Sequence, residues 1–160
     1  PLSLYGATKL AGERAVLASG CSGAVVRVEW TYGRAGANFV SKFLTRAAAT
    51  DDLVVVADQV GAPTWTRDVA AVLCQFLDRR IEGLYHYAAA GYATRYEVAE
   101  AILALRGLGG KRLRQARTAD VPAAARRPLN SRFDCTRIDA LGLPPRPPWR
   151  AALKEFLASA

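Results

Sequence analysis

Residue types that build metal centres and disulfide frameworks are scarce in this chain of 160 residues. It contains one histidine, His86, and three widely spaced cysteines, Cys21, Cys74 and Cys135. A single histidine argues against a histidine-rich metal centre. An odd number of distant cysteines argues against a disulfide framework and suits reduced thiols. We therefore expect no metal site, a structural role for His86, and a cytoplasmic protein.

Long apolar runs are also missing, and the basic residues are not concentrated in one region. No stretch approaches the roughly 18 apolar residues that a membrane-spanning helix needs. The net charge is +8, but the lysines and arginines are scattered apart from 111–114 and 126–127. No nucleic-acid-binding motif accompanies them. We expect anionic small molecules as partners, and neither a membrane nor a nucleic acid.

Methionine is absent altogether, and the chain begins only a few residues before its first predicted helix. Both features predict that the chain is the C-terminal part of a longer protein. The glycines at 20–23 and 107–110 follow predicted helices instead of opening them. Neither cluster is therefore the glycine-rich turn that binds the pyrophosphate of a dinucleotide.

Helical and strand patterns alternate along the chain, which indicates an α/β fold with a largely parallel sheet. The apolar periodicity predicts helices over residues 4–17, 38–49, 67–78, 94–105, 136–141 and 149–157. Short apolar or alternating runs predict strands over residues 24–28, 53–56, 84–89 and 111–116, the last at an edge. Residues 118–131 are predicted to form a long loop, and such loops in compact domains commonly carry function.

Two of these helices carry recognisable start signals. Thr94 with Glu97 three residues later has the spacing of a capping box. Asn38 precedes an apolar helical stripe, so we interpret it as a helix cap and not as a ligand contact.

The segment P-L-S-L-Y-G-A-T-K-L-A-G-E (1–13) places Tyr5 and Lys9 four positions apart. On a helix these positions share one face. A lysine ammonium close to a phenol favours the phenolate, which is what a tyrosine needs to exchange a proton near neutral pH. The alternative is a tyrosine that packs on the core at a helix start, beside an exposed lysine.

The same segment resembles the catalytic helix of the extended short-chain dehydrogenase/reductases. Its small residues after the tyrosine and its K-x-x-x-E continuation both fit that helix. The following V-V-R-V-E-W-T-Y-G-R (25–34) is similar to the next strand of that superfamily, with Arg27, Tyr32 and Gly33 in an R-x-x-x-x-Y-G element.

Within the superfamily, the chain resembles the dTDP-4-dehydrorhamnose reductase family over its whole length. Beyond the segments above, the resemblance rests on Trp30, N-F-V (38–40), D-Q-V-G-A-P-T-W-T-R-D (58–68), A-R-R-P-L-N-S (125–131) and the closing segment 141–153. It implies the C-terminal part of a Rossmann-like doubly wound parallel sheet plus a small α/β substrate-binding region. The N-terminal glycine-rich half of such a fold is absent from this chain.

The resemblance implies NADPH- or NADH-dependent reduction of the 4-keto group of dTDP-4-dehydro-L-rhamnose to dTDP-L-rhamnose. Tyr5 would donate the proton to the sugar. Lys9 would favour the ionised tyrosine and bind the nicotinamide ribose, so both residues also belong to the cofactor site. The implied partner is a dTDP-sugar, and whether two copies form a homodimer stays open.

Four further residues are predicted to bind the substrate. Trp30, which follows a predicted strand, would lie beside the sugar or the nicotinamide. Gln59 and Thr64 would line a loop over the sugar. Arg127 is a candidate for the diphosphate, because a guanidinium binds such oxygens in pairs; the alternative is a solvated surface arginine.

The same resemblance predicts how the chain divides. Residues 1–30 would end the dinucleotide-binding domain, and residues 31–160 would supply the remaining sheet elements and the substrate-binding region, intertwined. Two positions depart from the family pattern: Ser3 replaces an asparagine, and Glu29 replaces a small hydroxyl residue. A carboxylate at position 29 would need a cationic partner such as Arg27.

Two alternative functions remain open from the sequence. One is another sugar-nucleotide reductase or epimerase, against which Trp30 and the D-Q-V-G-A-P-T string argue. The other is a non-catalytic binding subunit, as in the regulatory subunit of methionine adenosyltransferase, which resembles the same family. Retention of both Tyr5 and Lys9 favours an enzyme.

Overall fold

Helices and strands alternate along the chain, as the sequence predicts. The computed structural model describes residues 1–122, 125 and 127–159. The helices are α1 (Leu4–Ala18), α2 (Phe39–Ala49), α3 (Thr66–Asp78), α4 (Arg95–Leu105), α5 (Thr136–Asp139) and α6 (Trp149–Ala158). The strands are β1 (Ala24–Val28), β2 (Thr31–Tyr32), β3 (Asp52–Val56), β4 (Val60–Gly61), β5 (Thr64–Trp65), β6 (Gly83–Tyr87), β7 (Ala93–Thr94) and β8 (Arg112–Ala116). No helix in these residues is long and apolar enough to span a membrane.

The strands pair mostly in parallel, which confirms the predicted type of sheet. Within the described residues the parallel pairs are β1–β6, β2–β5 and β3–β8, and β4–β7 is antiparallel. In the β1–β6 pair, Ala24 lies opposite Gly83 and Val28 lies opposite Tyr87. The C-terminal ends of these two strands therefore meet at one edge, where open α/β sheets bind ligands.

The structure also contains short strands that the apolar periodicity does not predict. β2, β4, β5 and β7 have two residues each, and β4 and β5 lie inside the segment 58–68. Two residues are too few to produce an alternating pattern, so only the partner strand reveals them. The predicted loop 118–131 begins with a 3₁₀ turn, Thr118–Asp120. Its residues 123, 124 and 126 lie outside the described residues.

Both predicted helix starts are confirmed. The Asn38 side chain accepts a hydrogen bond from the backbone N–H of Ser41, whose side chain accepts one in return from the Asn38 N–H. Thr94 and Glu97 form the same reciprocal arrangement at the start of α4. Each pair satisfies backbone donors that the first turn of a helix would otherwise leave without partners.

The apolar core is divided into two clusters. The larger one is centred on Val40, Leu53, Ile102 and Leu153 from α2, β3, α4 and α6, together with the buried Tyr32. The smaller one is built on Phe76, Tyr85, Tyr87 and Ile138 from α3, β6 and α5. The first cluster supports the loops beside Trp30, and the second supports the β1–β6 pair from one side.

Helix α1, which carries Tyr5 and Lys9, has no buried residue. It is connected to β1 by a bidentate ion pair: Arg27 donates from Nε and Nη2 to the two carboxylate oxygens of Glu13, each at 2.6 Å. Arg27 Nη1 lies 3.2 Å from His86 Nε2 on β6, and the other ring nitrogen of His86 lies 3.2 Å from the Asp134 carbonyl oxygen. His86 thus has the structural position that the sequence predicts.

We predict that Glu13→Gln loosens α1 without unfolding the core. The amide cannot reproduce two charge-assisted hydrogen bonds, so backbone hydrogen exchange within α1 should become roughly tenfold faster, the equivalent of about 1.4 kcal/mol. Exchange in α4 should not change. The matched control is Glu155→Gln, because Glu155 also forms a bidentate pair, with Arg67, on the exposed surface. Equal acceleration of α1 exchange in both variants would contradict the prediction.

Candidate active site

Tyr5 and Lys9 lie in the first turns of α1 and are accessible. The helix begins after Ser3, whose hydroxyl accepts a hydrogen bond from the Gly6 N–H at 3.2 Å, so the serine at this position still caps the helix. Tyr5 is 72% exposed, and Lys9 Nζ lies 5.7 Å from the centroid of its ring. The predicted pairing on one helix face is therefore present, and a ligand can approach both groups.

The start of α1 lies near the C-terminal end of β1. A short connection joins the two elements, so they run antiparallel, and Glu13 lies opposite Arg27. Tyr5 is eight residues before Glu13, or about 12 Å along the helix axis. Trp30 is two residues beyond Val28, the last residue of β1. Tyr5, Lys9 and Trp30 are thus brought to the same end of the sheet.

Trp30 has a constrained backbone and a tightly packed ring. Its φ is 42°, a left-handed conformation that is uncommon for a bulky residue and is found most often at functional sites. Gly61 of β4 lies directly against it: a Cβ at Gly61 would approach the indole ring to 2.6 Å and Glu29 Oε2 to 2.6 Å. The glycine of the D-Q-V-G string is therefore required for the indole to lie where it does.

Glu29 is buried, with 6% of its surface exposed. It does not pair with Arg27, the cation that the sequence suggested as its partner. Arg27 pairs with Glu13 instead. Neither oxygen of Glu29 has a hydrogen-bond partner within the described residues. Burial raises the pKa of Glu29 to about 7, and the backbone of Ala62, the charge of Arg95 and the backbone of Phe133 only partly oppose this.

Arg95, at the start of α4, is the residue of this region that the sequence analysis missed. Its guanidinium lies 3.6 Å from the centroid of the Trp30 ring and 4.9 Å from that of Phe39. A positive charge in the first turn of a helix is unfavourable because it opposes the helix dipole. The position of Arg95 in the sequence was therefore the one available sign that another contact stabilises it there. Burial, followed by the charge of Arg127, lowers the pKa of Arg95 to about 10.

The D-Q-V segment (58–60) attaches the long loop 118–131 at both ends. At one end the Asp58 carboxylate accepts hydrogen bonds from the N–H and hydroxyl of Thr118, at 2.6 to 3.0 Å. At the other, Val60 donates to the Leu129 carbonyl at 2.8 Å and accepts from the Ser131 N–H at 2.9 Å. These contacts bring Arg127, which is exposed, close enough to Arg95 for its charge to act there.

Gln59 and Thr64 occupy different environments. Gln59 is half-buried, and its side-chain amide donates to Thr118 Oγ1 at 3.0 Å, beside Arg95. Thr64 is fully buried: its hydroxyl donates to the Ala62 carbonyl and accepts from the Ala89 N–H. Its backbone N–H donates to the Trp30 carbonyl at 3.2 Å. Thr64 is therefore buried and bonded to the Trp30 backbone, and its predicted place in a loop over the sugar stays a prediction.

A nicotinamide cofactor would meet only part of its site in this chain. Tyr5 and Lys9 present an accessible hydroxyl and an accessible ammonium, which suit the ribose. No glycine-rich pyrophosphate turn occurs in the sequence. In the described residues, no group of three or more histidine, cysteine, aspartate or glutamate side chains could hold a metal ion.

A comparison with protein families identifies the relationship. A family model described as the RmlD substrate binding domain matches residues 1–160. This chain belongs to that family. The match confirms the predicted resemblance and covers the α1 segment as well as the region around Trp30 and Arg127.

Relatives of this RmlD-family domain include curated reductases. The dTDP-4-dehydrorhamnose reductase of Mycolicibacterium smegmatis is 40% identical over 161 residues, covering 99% of this chain and 49% of the relative. A probable dTDP-4,6-dihydroxy-2-methyloxan-3-one 4-ketoreductase of Streptomyces antibioticus is 38% identical over 156 residues, covering 97% of this chain and 53% of the relative. The chain spans about half the length of the curated relatives it matches.

Solved structures agree with the fold of the domain. The dTDP-4-dehydrorhamnose reductase of Bacillus anthracis, determined in complex with NADP, matches with a TM-score of 0.95 at 29% identity. The match covers 100% of this chain and 57% of that one. It confirms the predicted α/β fold class.

We predict that Gly61→Ala disturbs the Trp30 region. The new methyl group would lie 2.6 Å from the indole, so the ring or the β4 backbone must move. The free energy of unfolding should fall by about 1–3 kcal/mol, as for other overpacked sites. Denaturant titration of the variant measures this. Gly109→Ala is the control, because nothing lies within 4 Å of its added Cβ; an equal effect at both glycines would contradict the prediction.

The buried Glu29 predicts a specific pH dependence of stability. Its pKa is about 7 when folded and about 4.5 when unfolded, so the folded state retains a proton that the unfolded state releases. The free energy of unfolding should therefore fall as pH rises from about 4.5 to about 7, by about 3 kcal/mol at 1.36 kcal/mol per unit. In Glu29→Gln this decline should disappear, whereas Glu100→Gln, at an exposed position of α4, should retain it. Denaturant titrations at several pH values measure both.

Proposed function

We propose that this chain provides the proton donor and the substrate-binding part of a dTDP-4-dehydrorhamnose reductase. The reaction is reduction of the 4-keto group of dTDP-4-dehydro-L-rhamnose to dTDP-L-rhamnose with NADPH or NADH. The observation that carries the proposal is the accessible Tyr5–Lys9 pair at the same end of β1 as Trp30. The names of the relatives, which act on dTDP-linked sugars, support the substrate class.

Tyr5, Lys9 and Trp30 each have a separate role in the proposed reduction. A bound nicotinamide cofactor supplies the hydride that reaches C4 of the sugar. As the carbonyl oxygen gains negative charge, Tyr5 donates its phenolic proton to it and later regains a proton from water. The Lys9 ammonium stabilises the phenolate left on Tyr5 and donates to the ribose of the cofactor. Trp30 packs beside the sugar and fixes its orientation.

The proposal also assigns the two parts of the chain. Residues 1–30 end the dinucleotide-binding domain, and residues 31–160 supply the remaining sheet elements and the substrate-binding region, intertwined. Gln59, whose carbonyl accepts from the Arg95 N–H, and Arg127, whose charge acts on Arg95, face the nucleotide sugar in this assignment. The Bacillus anthracis relative is in complex with NADP, which favours a nicotinamide dinucleotide for this protein too.

We also place the protein in the cytoplasm. Its three cysteines are free thiols, with Cys21 and Cys74 exposed and Cys135 buried. Free, accessible thiols persist most readily in a reducing compartment. Nucleotide-sugar reduction with a nicotinamide cofactor fits the same location.

Tyr5→Phe tests the assigned proton donor. In the natural protein that contains this chain, the substitution should lower kcat about 10²- to 10⁴-fold, because general acid catalysis contributes factors of this size. The KM for the sugar nucleotide should change little. The measurement is oxidation of NADPH with dTDP-4-dehydro-L-rhamnose. Tyr85→Phe is the control, since its hydroxyl makes no hydrogen bond within the described residues and it lies on β6; its kcat should stay within about twofold.

The same assay separates the alternatives. The Streptomyces antibioticus relative favours a second candidate, reduction of a different dTDP-linked 4-keto sugar. Faster turnover of another dTDP-sugar than of dTDP-4-dehydro-L-rhamnose would select it. If no keto sugar nucleotide supports NADPH oxidation and Tyr5→Phe binds ligands as the wild type does, the protein is a binding subunit and the reductase proposal fails.

A further inference from the structure

The Arg95 guanidinium is stacked on aromatic rings, but its N–H groups make no hydrogen bonds within the described residues. It is stacked 3.6 Å from the Trp30 ring centroid and 4.9 Å from that of Phe39. Within the described residues, the Arg95 side chain forms neither a hydrogen bond nor an ion pair. Arg146, also partly buried, instead donates to both oxygens of Asp139, at 2.8 and 2.9 Å. Arg95 therefore has donors at the edge of its guanidinium that an external acceptor can use.

The charge around Arg95 is not balanced. The charge of Glu29 acts on Arg95, but the Glu29 oxygens have no hydrogen-bond partner in the described part of the chain, so the two side chains are not paired. Burial raises the pKa of Glu29 to about 7, so near neutrality it carries only part of a negative charge. The positive charge of Arg127 also acts on Arg95. Two arginines and a partly ionised carboxylate leave an excess of positive charge.

We propose that Arg95, with Arg127, binds the diphosphate of a nucleotide ligand, and that Trp30 and Phe39 hold the guanidinium of Arg95 flat for this contact. A guanidinium presents parallel N–H groups that match two phosphate oxygens, and stacking on an aromatic ring restricts it to one orientation. The identity of the nucleotide, a dTDP-sugar, rests on the proposed function above. The anion site itself rests on the geometry.

The position of Arg95 agrees with this role. Its backbone N–H donates to the Gln59 carbonyl at 3.3 Å. Arg95 thus stacks on Trp30, bonds to the Gln59 backbone and is affected by the charge of Arg127, three residues that are predicted to bind substrate and that are distant from it in sequence. Trp30 lies just beyond the C-terminal end of β1, and Gln59 just beyond that of β3. Open α/β sheets bind ligands at such strand ends. A diphosphate there would also offset the repulsion between the two arginines.

Arg95→Met tests the site by direct binding. Calorimetric titration of the natural protein with thymidine diphosphate and with inorganic pyrophosphate should show about a 10- to 100-fold loss of affinity, as expected for loss of charge-assisted hydrogen bonds. Arg95→Lys should recover only part, because an ammonium cannot bind two oxygens in parallel. The matched control is Arg150→Met: this exposed arginine is stacked 4.4 Å from the Trp149 ring, and its loss should leave both affinities unchanged.

Two further readouts separate anion binding from a purely structural role. Arg127 is exposed, so Arg127→Met should weaken pyrophosphate binding without affecting folding. Thymidine, which has no phosphate, should bind Arg95→Met and the wild type equally. Equal weakening of thymidine and thymidine diphosphate would mean that Arg95 only supports Trp30, and this would overturn the proposal. Unchanged pyrophosphate affinity in both arginine variants would overturn it as well.

Failure of the Arg95 anion site and failure of the reductase function give different experimental results. If the wild-type protein binds thymidine diphosphate through Arg95 but reduces no keto sugar, the anion site stands and the reductase function falls. If the protein is an active reductase and Arg95→Met leaves both thymidine diphosphate affinity and the KM unchanged, the function stands and the site is wrong. A raised KM with kcat unchanged supports both.

Discussion

The bidentate ion pair between Glu13 and Arg27 is the contact on which the candidate site depends. α1 has no buried residue, so its position on the sheet owes little to apolar burial. The pair joins the middle of α1 to Arg27, the penultimate residue of strand β1. Because α1 and β1 run antiparallel, Tyr5 then lies at the same end of the sheet as Trp30. Both residues of the pair belong to the K-x-x-x-E and R-x-x-x-x-Y-G elements, which gives these motif positions a structural reason.

The D-Q-V-G segment (58–61) also holds parts of the candidate site in position. Asp58 and Val60 attach the two ends of the loop that carries Arg127, while Gly61 leaves room for the Trp30 ring. Each position therefore acts on a different neighbour.

Charged groups in low-polarity surroundings are concentrated around Trp30. Glu29 and Arg95 both have pKa values displaced mainly by burial, the carboxyl upwards and the guanidinium downwards. Such groups cost stability unless a partner compensates them, and they are more common at binding and catalytic sites than elsewhere. Several unfavourable features occur together here: the left-handed backbone of Trp30, the stacked guanidinium of Arg95, and the Glu29 carboxylate, which has no hydrogen-bond partner among the described residues.

The sequence by itself determined the order of elements, the caps at Asn38 and Thr94, and the shared helix face of Tyr5 and Lys9. These depend on residues three or four positions apart, whose contacts follow from helix geometry alone. Only the tertiary structure decided that Arg27 pairs with Glu13 and not Glu29, that Thr64 is buried, and that Arg95 lies on Trp30. Those contacts join side chains that are distant in sequence. Strand pairing and loop attachment bring them together, and no local pattern encodes either.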